Sequence, residues 1–78
     1  MEKWYRADFS AKHNGNEIYP DSDYFTADND SLAVEIAKET AAAGRTYADC
    51  GHVNFELIQV AEVDPETECF NEIKVIYY

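Results

Sequence analysis

Cys50-Gly51-His52 sets a thiol and an imidazole two residues apart, a pairing that could do chemistry. On an extended strand this spacing points both side chains the same way, as a nucleophile and its base would need. Such a site also needs a third group to orient the base and donors for a developing oxyanion. No motif supplies them, and there is no phosphate loop or dinucleotide fingerprint. A chain of 78 residues also has little room for a pocket of a few hundred Å³. The expectation is a protein that is not an enzyme.

Metal chemistry is equally thin. A structural zinc site takes four ligands, usually in two closely spaced pairs. Cys50 and His52 make one pair, while His13 and Cys69 stand singly on other segments. Asp21-Ser22-Asp23 and Asp28-Asn29-Asp30 have calcium-like spacing for three residues, but the glycine and closing glutamate of an EF-hand loop are out of register. These runs read as turn and helix-cap chemistry. No cofactor and no metal are expected. Asn29-Asp30-Ser31 matches a glycosylation sequon, but no secretory leader gives it a context.

The two cysteines are too few for a disulfide framework and suit a reducing compartment. If residues 52–78 form a hairpin turning near Asp64–Glu68, Cys69 lies beside the turn and Cys50 beyond the far strand end. Eleven extended residues then separate them by about 35 Å. A disulfide needs Cα atoms within about 7 Å, so hairpin and disulfide exclude each other, and the pattern predicts the hairpin.

The elements that would position these residues follow from periodicity. Lys3–Ala11 alternates, with Tyr5, Ala7, Phe9 and Ala11 on one face and Trp4, Arg6, Asp8 and Ser10 on the other, as in a half-buried strand. Asn14-Gly15 is a hairpin-turn signal. Pro20 breaks the next stretch, so the second strand is expected over about Asp23–Ala27, with a piece near Ile18 pairing to strand one. Asn29 is the predicted N-cap of a helix over about Asp30–Ala43. Ala33, Val34, Ile36, Ala37, Thr40 and Ala41 form its inner face, and Ser31, Glu35, Lys38, Glu39 and Ala42 its outer one. Gly44 suits the left-handed position after it.

Arg45–Gly51 reads as a loop and His52–Val63 as a long strand. Its alternation stumbles at Ile58-Gln59-Val60-Ala61, where a bulge would restore the buried face and a strand covered on both sides would also fit. The last strand spans Cys69–Tyr78, with Cys69, Asn71, Ile73, Val75 and Tyr77 on one face. The whole chain, 1–78, is expected to be one domain of two-layer α+β class: ββαββ, an antiparallel sheet of two hairpins with one helix packed on one face.

Charge is the most informative feature. Sixteen acidic residues against six basic ones leave a net charge of −10. That field repels nucleic acid and anionic membrane and attracts basic surfaces. No apolar run reaches the roughly 18 residues of a membrane span, and Met1–Arg6 lacks a signal peptide's apolar stretch. Six Tyr, four Phe and one Trp argue against disorder. The acids gather around Asp21, Asp23, Asp28 and Asp30, on Glu35 and Glu39, and around the last turn at Glu62, Asp64, Glu66, Glu68 and Glu72. Carboxylates so placed can replace phosphates as partners for Arg and Lys. Trp4, Tyr24 and Tyr78 are candidate aromatic anchors.

The opening strand Trp4-Tyr5-Arg6-Ala7-Asp8-Phe9 and the helix start Phe25-Thr26-Ala27-Asp28-Asn29-Asp30, followed by Ala33-Val34-Glu35-Ile36-Ala37-Lys38, resemble small phage and mobile-element proteins of the anti-CRISPR type. The resemblance lies in layout and carries no functional residue over. It implies a stoichiometric inhibitor that binds a CRISPR effector in the bacterial cytoplasm. The resulting expectation is a small acidic protein-binding inhibitor docking on a basic nucleic-acid-binding surface, with no direct nucleic-acid or membrane binding. Asp21, Asp23, Tyr24, Asp28, Asp30, Glu35, Glu39, Glu66, Glu68 and Trp4 are its candidate contacts. The alternative is a structural or assembly module that forms a homodimer through the second sheet face.

Overall fold

The computed structural model describes residues 2–13, 16–48, 51–66 and 70–78, except for the side chains of 12, 13 and 16–19. Strand β1 (Lys3–His13) forms the hairpin with β2 (Asn16–Ala27) that the alternation and turn signal predict. Helix α1 (Asp30–Ala43) follows. Then come β3 (Arg45–Tyr47), β4 (Gly51–Val53), β5 (Phe55–Asp64) and β6 (Asn71–Tyr77). The main sheet has the order β2-β1-β5-β6 and is antiparallel throughout, so the class is α+β with one helix. The hairpins β1–β2 and β5–β6 meet along β1–β5, and β3–β4 makes a separate two-stranded sheet.

The alternation in β1 is realised fully. Tyr5, Ala7, Phe9 and Ala11 are all buried. They share a core with Ala33, Ala37 and Ala41 of α1 and with Val53, Phe55 and Val60. The helix contributes alanines spaced four apart, so its backbone can approach the sheet closely. Rings fill the remaining volume: Phe9 stacks on Phe55 with centroids 5.4 Å apart, and Tyr5 on Phe25 at 6.0 Å. Burying a large apolar side chain is worth about 1.5–3 kcal/mol, so the rings rather than the alanines carry most of this core's stabilisation.

The stumble in β5 is a bulge. Asp8 pairs with Gln59 and Phe9 with Leu57, leaving Ile58 opposite no residue. The extra residue returns Val60 to the buried face and leaves Ile58 exposed. Two more bulges interrupt β6: Ile76 lies between the Val60–Tyr77 and Ala61–Val75 pairs, and Ile73 between Glu62–Lys74 and Val63–Glu72. They break the simple two-face reading of this strand. Glu72 pairs with Val63 and Lys74 with Glu62, on opposite sides of the sheet.

The helix begins as expected. Asn29 Oδ1 accepts a hydrogen bond from the Leu32 amide at 2.8 Å, and Asp30 sits in the first turn, where a negative charge is favoured. It ends at Gly44, with φ of 67°, whose amide donates to the Thr40 carbonyl at 3.2 Å. A Cβ here would fall 2.3 Å from the Val53 carbonyl oxygen, so glycine is required twice over.

Three expectations are corrected. The second strand is continuous through Pro20, which pairs with Ser10. Strand β2 lies at the border of the sheet, where alternate amides face away from the ladder and proline is accommodated. The expected loop at 45–51 contains β3, paired to β4 through Arg45–Val53, Thr46–His52 and Tyr47–Gly51. The long strand expected over 52–63 is interrupted at Asn54, where the chain passes from the small sheet to the main one. The cysteine positions Cys50 and Cys69, and Glu68, lie outside the described residues.

Candidate interaction surface

The helix covers one face of the main sheet. The register places on the other face Trp4, Arg6, Asp8 and Ser10 of β1, Ser22, Tyr24 and Thr26 of β2, Gln59, Ala61 and Val63 of β5, and Glu72 and Val75 of β6. No helix or second sheet lies over this outer face among the described residues.

Arg6 organises its polar half. Its Nε lies 3.1 Å from Asp8 Oδ1, and its Nη2 donates to Glu72 Oε1 at 2.9 Å. Asp8 Oδ1 also accepts from Ser22 Oγ at 2.8 Å, and Glu72 Oε1 from Gln59 Nε2 at 3.3 Å. One guanidinium thereby ties all four strands together. Burial by itself would lower the Arg6 pKa. The hydrogen bond to Glu72 and the charge of Asp8 outweigh it and raise the value.

The other half is aromatic. Phe70, just ahead of β6, has its ring centroid 5.5 Å from Trp4 and 4.7 Å from Tyr24. Its backbone lies at φ of 48°, the sole positive value at a non-glycine residue among the described positions. That conformation costs a bulky residue about 1–2 kcal/mol. It turns the ring in over the sheet. Ala61 and Val63, opposite Arg6 and Trp4, are fully buried although no helix or second sheet covers them among the described residues. Tyr24 remains 45% exposed, enough to meet another molecule.

The acidic candidates divide into separate groups. Asp21 and Asp23 are on the helix side, where Arg45 reaches them: Nη1 to Asp21 Oδ2 at 2.6 Å and Nη2 to Asp23 Oδ1 at 3.2 Å. The hydrogen bond to Asp23 and the charge of Asp21 raise the Arg45 pKa. Asp30 Oδ1 accepts from the buried Tyr5 hydroxyl at 2.7 Å, and its Oδ2 lies 3.3 Å from Lys74 Nζ. Asp28, Glu35 and Glu39 are exposed at the helix start and along its outer side, and Glu66 is exposed in the β5–β6 turn. The sheet therefore stands between the aromatic candidates, Trp4 and Tyr24, and the helix carboxylates.

The chain's cations are largely committed within it. Lys3, Arg6, Arg45 and Lys74 are ion-paired, and Lys38 sits over the Tyr77 ring at 5.2 Å. Among the described residues, Asp28, Glu35 and Glu39 have no ion pair. No cluster of metal-ligating side chains and no pocket occurs among the described residues. No helix there is long and apolar enough to cross a membrane. No family model, curated protein or solved structure matches the chain.

Sequence reasoning found Trp4 and Tyr24, grouped Glu72 only with the acids of the last turn, and missed Arg6, Asp8 and Phe70 as part of the same surface. The alternation of β1 already put Trp4, Arg6 and Asp8 on one face. Nothing local marks Phe70, whose position depends on a backbone turn.

Proposed function

We propose that this chain is a small acidic protein-binding inhibitor of the anti-CRISPR type, docking on the basic nucleic-acid-binding surface of a CRISPR effector or similar nucleoprotein. The outer sheet face is the centre of contact. The observation that carries this reading is an open face on which Phe70 packs against both Trp4 and Tyr24 beside Asp8 and Glu72. Protein interfaces are commonly anchored by aromatic residues within a polar rim. The helix carboxylates face the other way. Their share is long-range attraction, which speeds encounter with a basic partner rather than holding it. The reading gives the chain no catalytic role, no nucleic-acid contact of its own and no membrane.

The test is a calorimetric titration of the protein against a panel of purified, guide-loaded CRISPR effectors, a readout that does not depend on the single tryptophan, Trp4. Stoichiometric binding that weakens with salt and is lost in Trp4→Ala and Tyr24→Ala supports the reading. Binding to no effector, or binding indifferent to salt and to both substitutions, removes it. The same face favours one other reading, a homodimer joined through it, because Tyr24 is exposed beside a formed aromatic cluster. Sedimentation equilibrium separates the two: a dimer broken by Tyr24→Ala assigns the face to self-assembly.

A further inference from the structure

The chain treats its aromatic rings unequally. Tyr77 is capped by Lys38 at 5.2 Å, and Phe55 by the Arg45 guanidinium at 5.5 Å. No cation of the described residues lies over Trp4, Tyr24 or Phe70. Arg6 is the nearby candidate, but its guanidinium is held by Asp8 and Glu72. Among the described residues, the outer face thus presents π-faces without a cation, next to carboxylates. Glu72 is 43% exposed in its side chain, and its described hydrogen bonds all fall on Oε1.

We infer that this face receives an arginine of a basic partner segment, its guanidinium plane stacked on the Tyr24–Phe70 pair and its N–H groups directed at Glu72. The inference rests on the reading of the outer face as the contact surface and adds the chemistry of what contacts it. Charge complementarity selects a basic segment over an acidic or neutral one. Planarity selects arginine over lysine, because guanidinium stacks on a ring while offering a fork of donors to a carboxylate, and ammonium is a compact hydrated charge. Tyr24 and Phe70 are already packed together at 4.7 Å, so the guanidinium would lie on their exposed surface and not between them.

The experiment uses the full chain and two synthetic peptides, nona-arginine and nona-lysine, with Trp4 emission as local reporter and calorimetry for affinity. A chain of net charge −10 will attract both peptides, so the difference between them is the measurement. Nona-arginine is expected to bind about 2- to 5-fold more tightly for each stacked ring and to change Trp4 emission, which nona-lysine does weakly. The arginine preference should vanish in Tyr24→Leu/Phe70→Leu, while nona-lysine affinity and the circular dichroism stay as in the parent. It should survive in Glu35→Gln/Glu39→Gln, which lowers affinity for both peptides alike. Equal affinities in the parent chain overturn the inference. So does a preference that survives loss of both rings, or one lost in the helix variant. Effector binding without arginine preference removes this inference alone. Arginine preference without effector binding removes the inhibitor reading and leaves the arginine site.

Discussion

The rings of Phe70 and Tyr24 lie 4.7 Å apart although Phe70 leads into β6 and Tyr24 lies on β2, at opposite borders of the four-stranded sheet. The contact passes over β5 and β1, and Phe70 has a backbone φ of 48°. Alanine and glycine should therefore reverse their usual order at this position. Within an ordinary strand, glycine is the poorer of the two by about 0.5–1 kcal/mol. At a positive φ, Phe70→Ala keeps the strain and loses the ring, whereas Phe70→Gly loses the ring and releases about 1 kcal/mol of strain. Urea unfolding of both variants should find Phe70→Gly the more stable. The opposite order would mean the backbone at Phe70 is unstrained.

The Tyr5–Asp30 hydrogen bond gives stability two separate pH limits. The Asp30 carboxyl is held below its usual value, first by the Tyr5 hydroxyl and then by Lys74. Its contribution is present above about pH 4 and is lost as pH falls through the lowered value. The Tyr5 hydroxyl is raised, first by burial and then by Asp30. Its contribution is present below about pH 10 and is lost as pH rises toward the raised value. Asp30→Asn should lower stability at pH 7 and flatten the acid limb. Tyr5→Phe should cost about 1–2 kcal/mol at pH 7 and flatten the alkaline limb. Denaturant midpoints from pH 2.5 to 11 check both, and unchanged limbs would remove the linkage.

Much of this was legible in the residues, and the remainder was hidden for definable reasons. The β1 faces, the Asn29 cap and the helix span each depend on a few neighbouring residues, so a local pattern carried them, whereas the stumble near Ile58 left a bulge and a doubly covered strand open until the register decided for the bulge. Continuity of β2 through Pro20 depends on that strand having one neighbour, which is a property of the whole sheet. The β3–β4 ladder is three residues long and is supported by Arg45 reaching Asp21 and Asp23 on a distant strand. The acidic residues were counted together by sequence proximity and charge. In space, the sheet assigns them to different sides and gives two of them to Arg45.

That arginine yields a prediction of its own. A double-mutant cycle on Arg45→Met and Asp21→Asn should give a coupling of at most about 1 kcal/mol, because the pair is partly exposed. Amides of β3 and β4 should exchange faster in high salt and in Arg45→Met. Asp21→Asn should leave the Trp4 response to nona-arginine unchanged, since Asp21 lies on the helix side. A large loss of that response would place Asp21 in the contact.

Gly44→Ala should be among the most damaging small substitutions in the chain. It combines a φ of 67° with a Cβ 2.3 Å from a backbone oxygen, which no rotamer change can relieve. A loss of at least about 2 kcal/mol is expected, read from thermal or urea unfolding. A change under about 0.5 kcal/mol would show that the junction between α1 and β3 relaxes freely.

Pro20 in β2 and the two bulges in β6 have a consequence for how copies of this chain can meet. A regular outermost strand is a template on which a neighbour can add in register, and repeated addition leads to fibrils. Here one terminal strand lacks an amide hydrogen at Pro20, and the other changes register at Ile73 and Ile76. Neither offers an uninterrupted row of donors and acceptors, so lateral polymerisation is disfavoured on both flanks. Any association of this molecule, with itself or with another, is directed away from the ladder ends and onto its broad surfaces, where side chains rather than backbone decide who is accepted.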